Sequence, residues 1–241
     1  MRARLALIVL AALIFASCRS VLSVKYEYDE EVYLALDGSA TVYVNASVPA
    51  LVALRGVDLD VDPHARLDRV RVAALYGSPV TNVVSTTSSR RDNRRYVHLR
   101  IEVTDIAQLS QAAPFAWSSY SIERREPLMF FKQVVGASSG RDVGDVGWRG
   151  GEMVAFRLHL PSRVSFHNAQ GRTIERGNII RWEQSLADRL KGEPLAIEVH
   201  METASILART LTLFGIMIAL ALSTMALAIW WVMRAKGYPG L

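Results

Sequence analysis

Cysteine is nearly absent from this chain, which has 241 residues and contains only Cys18. No disulfide can therefore form within one molecule. The chain also lacks a long linker rich in proline and serine, and no segment repeats at a fixed period. These absences favour a single folded domain in residues 24–202, because about 180 residues suffice for one substantial core.

An excess of basic charge is missing from the same part of the chain. The whole sequence has a net charge of +5, but five of its 28 basic residues belong to the terminal segments, namely Arg2, Arg4, Arg209, Arg234 and Lys236. Residues 19–208 therefore hold 23 basic and 23 acidic side chains. A neutral domain lacks the basic surface that nucleic acid requires, so we expect no nucleic-acid partner.

Catalytic signatures are lacking as well. There is no G-x-S-x-G nucleophile elbow, and none of the five histidines pairs with another at the spacing of a zinc-binding helix. His98, His159 and His200 occupy the polar phase of alternating segments. They are interpreted as surface residues of strands, with a three-histidine site across neighbouring strands as the alternative. We therefore expect a protein without enzymatic activity, bound metal or cofactor.

A glycine-rich stretch, residues 136–152, lacks what a nucleotide site needs. No lysine and hydroxyl residue follow its last glycine, as a P-loop requires, and a strand-like segment follows where a dinucleotide site has a helix. Asp142 and Asp145 offer oxygen atoms to calcium, but Arg141 and Arg149 oppose a cation. We interpret the stretch as a structural connection anchored by Trp148, with a mobile lid as the alternative.

The first 18 residues predict a signal peptide. Arg2 and Arg4 precede the apolar residues 5–15, and small residues stand just before Cys18. This apolar run is too short for an ordinary membrane-spanning helix. The sequence "IFASC" resembles a bacterial lipobox, which predicts lipidation of Cys18, and removal of this cysteine with the signal peptide is the alternative.

The C-terminal part of the chain predicts a transmembrane helix. Residues 211–233 contain no charged side chain, and this length of helix spans about 35 Å, enough for a hydrocarbon core of about 30 Å. Trp230 and Trp231 are typical of a membrane interface, and Arg234 and Lys236 after them, together with the signal peptide, indicate that this end faces the cytoplasm. The predicted division is a signal peptide (1–18), an extracytoplasmic α+β domain (19–203), a juxtamembrane and transmembrane helix (204–233) and a cytoplasmic tail (234–241). We therefore expect a bacterial cell membrane protein whose main domain is extracytoplasmic.

Segments with a period of two dominate the residues between these ends, which is typical of half-buried strands. Asp37-Gly38 predicts a short hairpin between two of them. The more continuous apolar run "PLMFFKQVV", residues 127–135, predicts a strand covered on both faces. Helices are predicted at residues 62–77, capped by Asp62, and at residues 104–113, capped by Thr104, with another turn or two in "PALVALRG". The predicted fold class is α+β, rich in antiparallel sheet, with two or three short helices and one C-terminal transmembrane helix.

Four arginines flank the predicted turn at Asp92-Asn93. They are Arg90, Arg91, Arg94 and Arg95. One hypothesis is that they contact anionic lipid headgroups, where each basic residue near a charged membrane contributes about 1 kcal/mol. The alternative is a solvated hairpin tip.

The segment "RGNIIRWEQSLADRLKGEPLAIEVHM", residues 176–201, carries a family resemblance. Its Gly-Asn turn, the short strand ending in Trp182, the Leu-Ala-Asp segment and the final strand resemble the closing part of LppM-like bacterial lipoprotein domains. The order of lipobox-like cysteine, β-rich domain and C-terminal span is similar too. The resemblance implies an envelope protein with an α+β fold and lipid binding, and it implies no catalytic residues.

The sequence leads to two hypotheses of function. The first is a non-enzymatic module that binds lipid or amphiphile near the bilayer, in an apolar groove lined by Phe115, Trp117, Tyr120, Phe130 and Phe131. The second is a scaffold that binds another envelope protein through its sheet or its transmembrane helix. An open cavity with arginines at its mouth favours the first hypothesis, and an exposed apolar patch or strand edge favours the second.

Overall fold

The computed structural model describes residues 25–235 of the chain. The predicted signal peptide, with the lipidation candidate Cys18, and residues 236–241 of the predicted tail lie outside the described residues. The predictions for those segments therefore stay predictions.

Ten β-strands and four α-helices form in the described part of the chain. The strands are β1 (Lys25–Leu34), β2 (Ala40–Ser47), β3 (Thr81–Arg91), β4 (Arg94–Val103), β5 (Ser118–Arg125), β6 (Leu128–Val135), β7 (Glu152–His159), β8 (Ser162–His167), β9 (Ile179–Ser185) and β10 (Leu195–Ser205). The helices are α1 (Val48–Arg55), α2 (Arg69–Leu75), α3 (Leu186–Leu190) and α4 (Ile206–Ala235). Short 3₁₀-helices lie at Ile106–Gln111, Ala113–Phe115 and Gln170–Arg172.

The strands form two sheets. The larger sheet has the order β3-β4-β2-β1-β7-β9, and the smaller one has the order β5-β6-β10-β8. Neighbouring strands are antiparallel except for β1 and β7, which run parallel. The predicted hairpin at Asp37-Gly38 joins β1 to β2, and Gly38 adopts a φ of 87°, which favours glycine. Together with α4, these two sheets confirm the predicted α+β class.

The core lies between the two sheets. Val32, Phe156 and Trp182 of the six-stranded sheet meet Phe131 and Ile197 of the four-stranded sheet around a cavity of about 10 Å³. Helix α1 packs on β2 and β4, and α2 packs on β3, so these helices cover the other half of the same face. The smaller sheet and the helices thus share the inner face of the six-stranded sheet.

Helix α2 starts later than the sequence predicts. Its N-cap is Asp68, whose carboxylate accepts the N–H groups of Val70 and Arg71, and not Asp62. The Asp62 carboxylate instead accepts the N–H of His64 in a local turn (2.8 Å), which competes with helix formation. Both aspartates match the capping pattern, so the sequence alone could not choose between them.

Two smaller predictions about local structure were wrong. The segment after Thr104 forms a 3₁₀-helix whose N-cap is Asp105, because the Asp105 carboxylate reaches the N–H of Ala107 (3.0 Å). Strand β6 is covered on one face only. Met129 and Phe131 are buried there, whereas Val134 on the other face is 47 % exposed.

The last strand passes directly into the last helix. β10 ends at Ser205, and the N–H of Ile206, the first residue of α4, donates to the carbonyl of Pro161 (3.1 Å). The Arg209 guanidinium on α4 forms an ion pair with Glu202 on β10 (2.7 Å). These contacts hold the start of α4 against the domain.

Helix α4 contains a stretch, Arg209–Ala235, that is long and apolar enough to cross a membrane. Its large apolar side chains are exposed, among them Phe214 (63 %) and Trp231 (68 %). Such a helix is compatible with membrane association, because a bilayer would cover the apolar surface that the domain leaves free.

The outer face of the six-stranded sheet, turned away from the core, carries paired polar side chains. On β1, Asp29 forms an ion pair with Arg157 of β7, and Glu31 contacts His159 of the same strand. The Tyr33 ring stacks on His159, with 3.8 Å between the ring centroids. Because the alternation of β1 sends one side chain inward and the next outward, these carboxylates lie opposite the core.

We expect Asp29 to make stability depend on pH. Burial raises the pKa of its carboxyl to about 6, and Arg157 offsets only part of this rise while Glu31 and Glu30 add to it. Because the folded protein holds this proton more tightly than the unfolded chain does, protonation of Asp29 stabilises the fold at pH values below the unfolded pKa of about 4. This contribution, about 3 kcal/mol, is lost as pH rises from 4 through 6. Thermal unfolding of the full-length protein in detergent from pH 4 to 8 measures the loss. Asp29→Asn is the control and should remove this part of the profile, whereas parallel profiles would contradict the assignment.

Candidate binding cleft

A cleft of about 610 Å³ opens at one end of the six-stranded sheet. Residues 92–94 at the β3–β4 hairpin tip form one wall, residues 61–63 form a second, and the glycine-rich loop contributes Val143, Asp145, Val146, Gly147 and Arg149. Lys25, Pro49 and Glu152 complete the lining. We call this cavity the distal cleft, because β7 starts here and ends beside Pro161, which contacts α4. The eight residues of β7 separate the two ends by about 25 Å.

The glycine-rich loop is held against the sheet by one buried arginine. Arg94 Nη1 donates to the carbonyls of Val146 (3.1 Å) and Gly147 (3.2 Å). Arg94 Nη2 donates to the buried carboxylate of Glu27 (2.9 Å), and Trp148 Nε1 donates to the same carboxylate (3.3 Å). Trp148 is therefore a contact between loop and domain, as the sequence predicts.

Glu27 reaches this position because β1 contains a bulge. The register of β1 against β7 shifts between Tyr26 and Tyr28, which leaves Glu27 as an extra residue in β1. The carboxylate is fully buried and also accepts the hydroxyl of Tyr96 (2.6 Å). Simple alternation predicts a solvent-facing Glu27, so the sequence alone does not identify this residue as buried.

The other end of the loop is bound to α1. The N–H of Ser139 donates to the carbonyl of Leu54 (3.0 Å), and its hydroxyl donates to the carbonyl of Ala53 (2.8 Å). These bonds satisfy the carbonyl groups that the end of a helix leaves without partners. The loop is thus attached at both ends, and its central residues form the rim of the distal cleft.

The distal cleft offers charges of both signs. Lys25 and Asp92 form an ion pair across its edge (3.0 Å). The Arg149 guanidinium has no partner within residues 25–235, and Asp145 uses one carboxylate oxygen for the N–H of Gly147 (2.9 Å). A ligand here would meet a free cation, a partly free carboxylate and the exposed amide of Asn93.

Glu152 forms the base of the cleft and is held as an anion. Burial raises the pKa of its carboxyl, but the backbone N–H groups of Arg149 and Gly150 outweigh this effect and keep the pKa below its ordinary value. These N–H groups lie 2.8–3.1 Å from the carboxylate oxygens. Glu152 therefore shapes the loop and remains charged near neutral pH.

The aromatic residues predicted to line an apolar groove do not meet at one surface. Phe115 and Phe131 are fully buried, and Tyr120 is 7 % exposed, in the core between the sheets and helices. Phe130 lies on the opposite face of β6, where its ring centroid is 4.5 Å from that of His200. Alternation along β6 explains the separation, because adjacent residues of a strand point to opposite faces.

Beside these aromatic residues lies a second buried carboxylate, that of Glu30 on β1. It accepts hydrogen bonds from Tyr28 (2.7 Å), Arg55 (2.8 Å), Gln133 (3.0 Å) and Tyr120 (3.2 Å). Burial raises the pKa of both tyrosine hydroxyls well above their ordinary value, so both stay protonated and donate. The signal for Glu30 in the sequence was its place in the apolar phase between Tyr28 and Val32.

Trp117, the remaining predicted groove residue, joins two buried guanidinium groups. The Arg55 Cζ atom lies 3.4 Å from the centroid of the Trp117 ring, and the Arg189 Cζ atom lies 4.9 Å from it. Arg189 donates to the carbonyls of Gly136 and Glu193, and burial lowers its pKa to about 10. Trp117 therefore packs between cations as part of the folded core.

The four arginines predicted at the hairpin tip fall into two pairs. Arg90 and Arg91 are exposed, whereas Arg94 and Arg95 are only 4 % and 5 % exposed. Arg94 holds the glycine-rich loop, and Arg95 donates to the carbonyl of Asp60. The reason is that β4 begins immediately after the two-residue turn, so its first residues already lie beneath the neighbouring loops.

The three histidines on strands do not come together. His98 and His159 lie on the six-stranded sheet and His200 on the four-stranded sheet. Each has its own partners, namely Asn45 and Ser89 for His98, Glu31 for His159 and Glu198 for His200. Among residues 25–235, no group of three histidine, cysteine, aspartate or glutamate side chains is arranged to hold a metal ion.

Comparison with known proteins yields a weak likeness to one solved structure. No family model and no curated protein sequence matches the chain. Among solved structures, the chain is similar to the folded domain of the LppM protein of Mycobacterium tuberculosis, determined by NMR. The two share 14 % identity with a TM-score of 0.42, over 79 % of this chain and 98 % of that domain. This is a weak structural resemblance and does not assign the chain to a family.

Proposed function

We propose that this protein is a membrane-anchored binding module of the cell envelope, which holds the polar headgroup of a lipid or other amphiphile in the distal cleft. The cleft itself is the observation that carries the proposal. Its volume of about 610 Å³ falls within the range of about 300–1,000 Å³ for small-molecule sites. Helix α4 supports the membrane anchor, because it is long and apolar enough to cross a bilayer.

The polar part of the ligand fits this molecule better than its apolar part. The cavity between the two sheets measures about 10 Å³, room for about one water molecule and not for an acyl chain. The distal cleft instead is lined by Arg149 and by the acidic residues Asp145 and Asp62. Neighbouring donors and acceptors suit a headgroup that is zwitterionic or rich in hydroxyl groups, since such a group both donates and accepts.

The carboxylates of the cleft support binding over catalysis. A general acid near neutral pH needs a raised pKa, whereas the pKa of Glu152 is lowered. Asp62 and Asp145 each spend one oxygen on a backbone N–H group, of His64 and Gly147 respectively. These carboxylates are thus fixed acceptors, which favours a non-enzymatic role.

Native mass spectrometry of the full-length protein, released from detergent after purification from envelope extracts, tests the proposal. We expect an added mass that dissociates as a lipid or amphiphile. The double variant Arg149→Gln with Asp145→Asn should reduce its occupancy at least fivefold, because it removes one charge of each sign from the cleft. Asp142→Asn is the matched control, since this aspartate belongs to the same loop and does not line the cleft.

Two outcomes would count against the proposal. Equal ligand occupancy in the double variant and the control would show that the ligand binds outside the distal cleft. A bare protein mass across several lipid classes would reject the binding module and favour the scaffold. For the scaffold, the specific observation is β3, an eleven-residue strand at the edge of the six-stranded sheet that is mostly exposed and could pair with a partner strand.

A further inference from the structure

A second cleft, of about 690 Å³, lies between the start of α2 and strand β3. Its lining consists of Arg66, Leu67, Asp68, Arg69, Val70 and Ser88. We call it the α2 cleft, and it shares no lining residue with the distal cleft. Asp68 fixes its shape, because the carboxylate accepts the N–H groups of Val70 (2.9 Å) and Arg71 (3.0 Å).

The uncompensated charge of the α2 cleft is positive. In residues 25–235 neither Arg66 nor Arg69 forms an ion pair or a side-chain hydrogen bond, and both are exposed. Arg71, the next cation along α2, differs because Asp58 neutralises it (2.6 Å). The Asp68 carboxylate is engaged by backbone N–H groups on one oxygen, which weakens it as a partner for the two arginines.

The opposite wall of the α2 cleft adds a hydroxyl group. Ser88 on β3 lines the cleft. Arg90 follows two residues later on the same face of β3 and is exposed and unpaired in the described part of the chain, but it lies outside the lining of the cleft. Donors thus face the cleft from both the helix side and the strand side.

An apolar side chain stands next to these donors. Val70 is 80 % exposed, more than any other large apolar side chain that the structure describes. Leu67, beside it, is partly buried and packs against the core. An isolated exposed valine is ordinary, but here it lies within the same cleft as two unpaired guanidinium groups.

From this arrangement we propose that the α2 cleft binds a phosphate or phosphodiester group through Arg66 and Arg69, with Ser88 donating a further hydrogen bond. Two planar guanidinium groups present up to ten N–H donors, and a tetrahedral phosphate has enough oxygen atoms to engage both. A carboxylate has only two oxygens, so it offers fewer acceptor atoms than a phosphate to two guanidinium groups and a hydroxyl. Val70 is placed to contact an apolar substituent of the same ligand.

Isothermal titration calorimetry of the full-length protein, in a maltoside detergent that contains no phosphate, tests this site. The probes are inorganic phosphate, glycerol 3-phosphate and dihexanoyl phosphatidylglycerol. We expect at least one of them to bind, and Arg66→Gln with Arg69→Gln to weaken it at least tenfold. Arg163→Gln with Arg176→Gln is the matched control, because these exposed arginines are also unpaired within residues 25–235 but line neither cleft.

The source of the phosphate follows from which probe binds. Binding of inorganic phosphate that Val70→Ser leaves unchanged indicates a free phosphate ligand. Binding of the short-chain lipid alone, weakened by Val70→Ser, indicates a lipid headgroup.

The proposal is overturned if no probe binds, or if the Arg66 and Arg69 substitutions weaken binding no more than the control pair. A thermal unfolding midpoint equal to that of the unmodified protein shows that the double variant is folded. The outcome is independent of the distal cleft, because none of these substitutions touches its lining.

Discussion

Replacing Arg55 by methionine is expected to lower the free energy of unfolding by about 3–5 kcal/mol, because it leaves the carboxylate of Glu30 buried without its cation. The side chains of Glu30 and Arg55 are 0 % and 1 % exposed, with 2.8 Å between Oε2 and Nη2. Methionine retains much of the apolar volume of arginine and adapts to irregular gaps, so a new cavity is not the main cause of the loss. Chemical unfolding of the full-length protein in detergent, followed by near-ultraviolet circular dichroism, measures it.

Two further variants separate charge from packing. Arg125→Met breaks the exposed ion pair with Glu123, whose side chains are 72 % and 57 % exposed, and should cost less than about 1 kcal/mol. Combining Arg55→Met with Glu30→Gln removes both buried charges and should recover part of the lost stability. If Arg55→Met were as mild as Arg125→Met, the buried pair would not be part of the folded core.

The second large effect is expected at Phe131. Truncating it to alanine should cost about 3–5 kcal/mol, because its ring is fully buried between the sheets and its removal leaves a cavity. The same truncation at its neighbour Phe130 should cost about 1 kcal/mol or less. The Phe130 ring lies on the outer face of β6, 5.6 Å from the Arg125 guanidinium and in contact with His200.

This pair of variants also decides between a core and an open groove. Thermal and chemical unfolding report the stability, and native mass spectrometry reports any bound amphiphile. If Phe131 lined an open groove, Phe131→Ala would lower ligand occupancy and leave stability almost unchanged. Similar stabilities of Phe130→Ala and Phe131→Ala would therefore contradict the packing described for β6.

The parts of the fold that follow one local rule were predictable from the sequence. Strands β4, β7 and β10 alternate with a period of two, because one face of each is buried. Helix α4 was predictable because residues 211–233 contain no charged side chain. Trp148 was predictable as an anchor because it is a large aromatic residue within a glycine-rich loop. For each of these features, a few neighbouring residues carry the information.

The parts that depend on distant partners were not predictable in this way. Glu27 is buried because a bulge in β1 turns it toward Arg94 and Tyr96, more than 65 residues away. Likewise, Arg95 is covered by a segment that reaches it through the carbonyl of Asp60. A single sequence shows the residue types but not the pairing that brings them together, and a buried charge is stable only once paired.

The distal cleft also depends on residues that are distant in sequence, so the sequence alone does not predict it. The sequence predicts a structural connection for the glycine-rich loop. Its ends are fixed by Arg94 and Ser139, but its middle also forms one wall of a cavity. The second wall, residues 61–63, was expected to start a helix. Because helix α2 starts six residues later than its predicted N-cap implied, this segment remains outside the helix and lines the cleft opposite the loop.

The direct passage from β10 into α4 fixes the distance between the distal cleft and the start of the helix. No flexible linker separates Ser205 from Ile206, and Arg209 is paired back to Glu202, so the domain is held directly at the start of α4. Measured along β7, the distal cleft stands about 25 Å beyond the start of α4. A lipid embedded in a bilayer that α4 crosses would have to bridge this distance to enter the distal cleft. A ligand dissolved in the aqueous phase would not have to cross this distance.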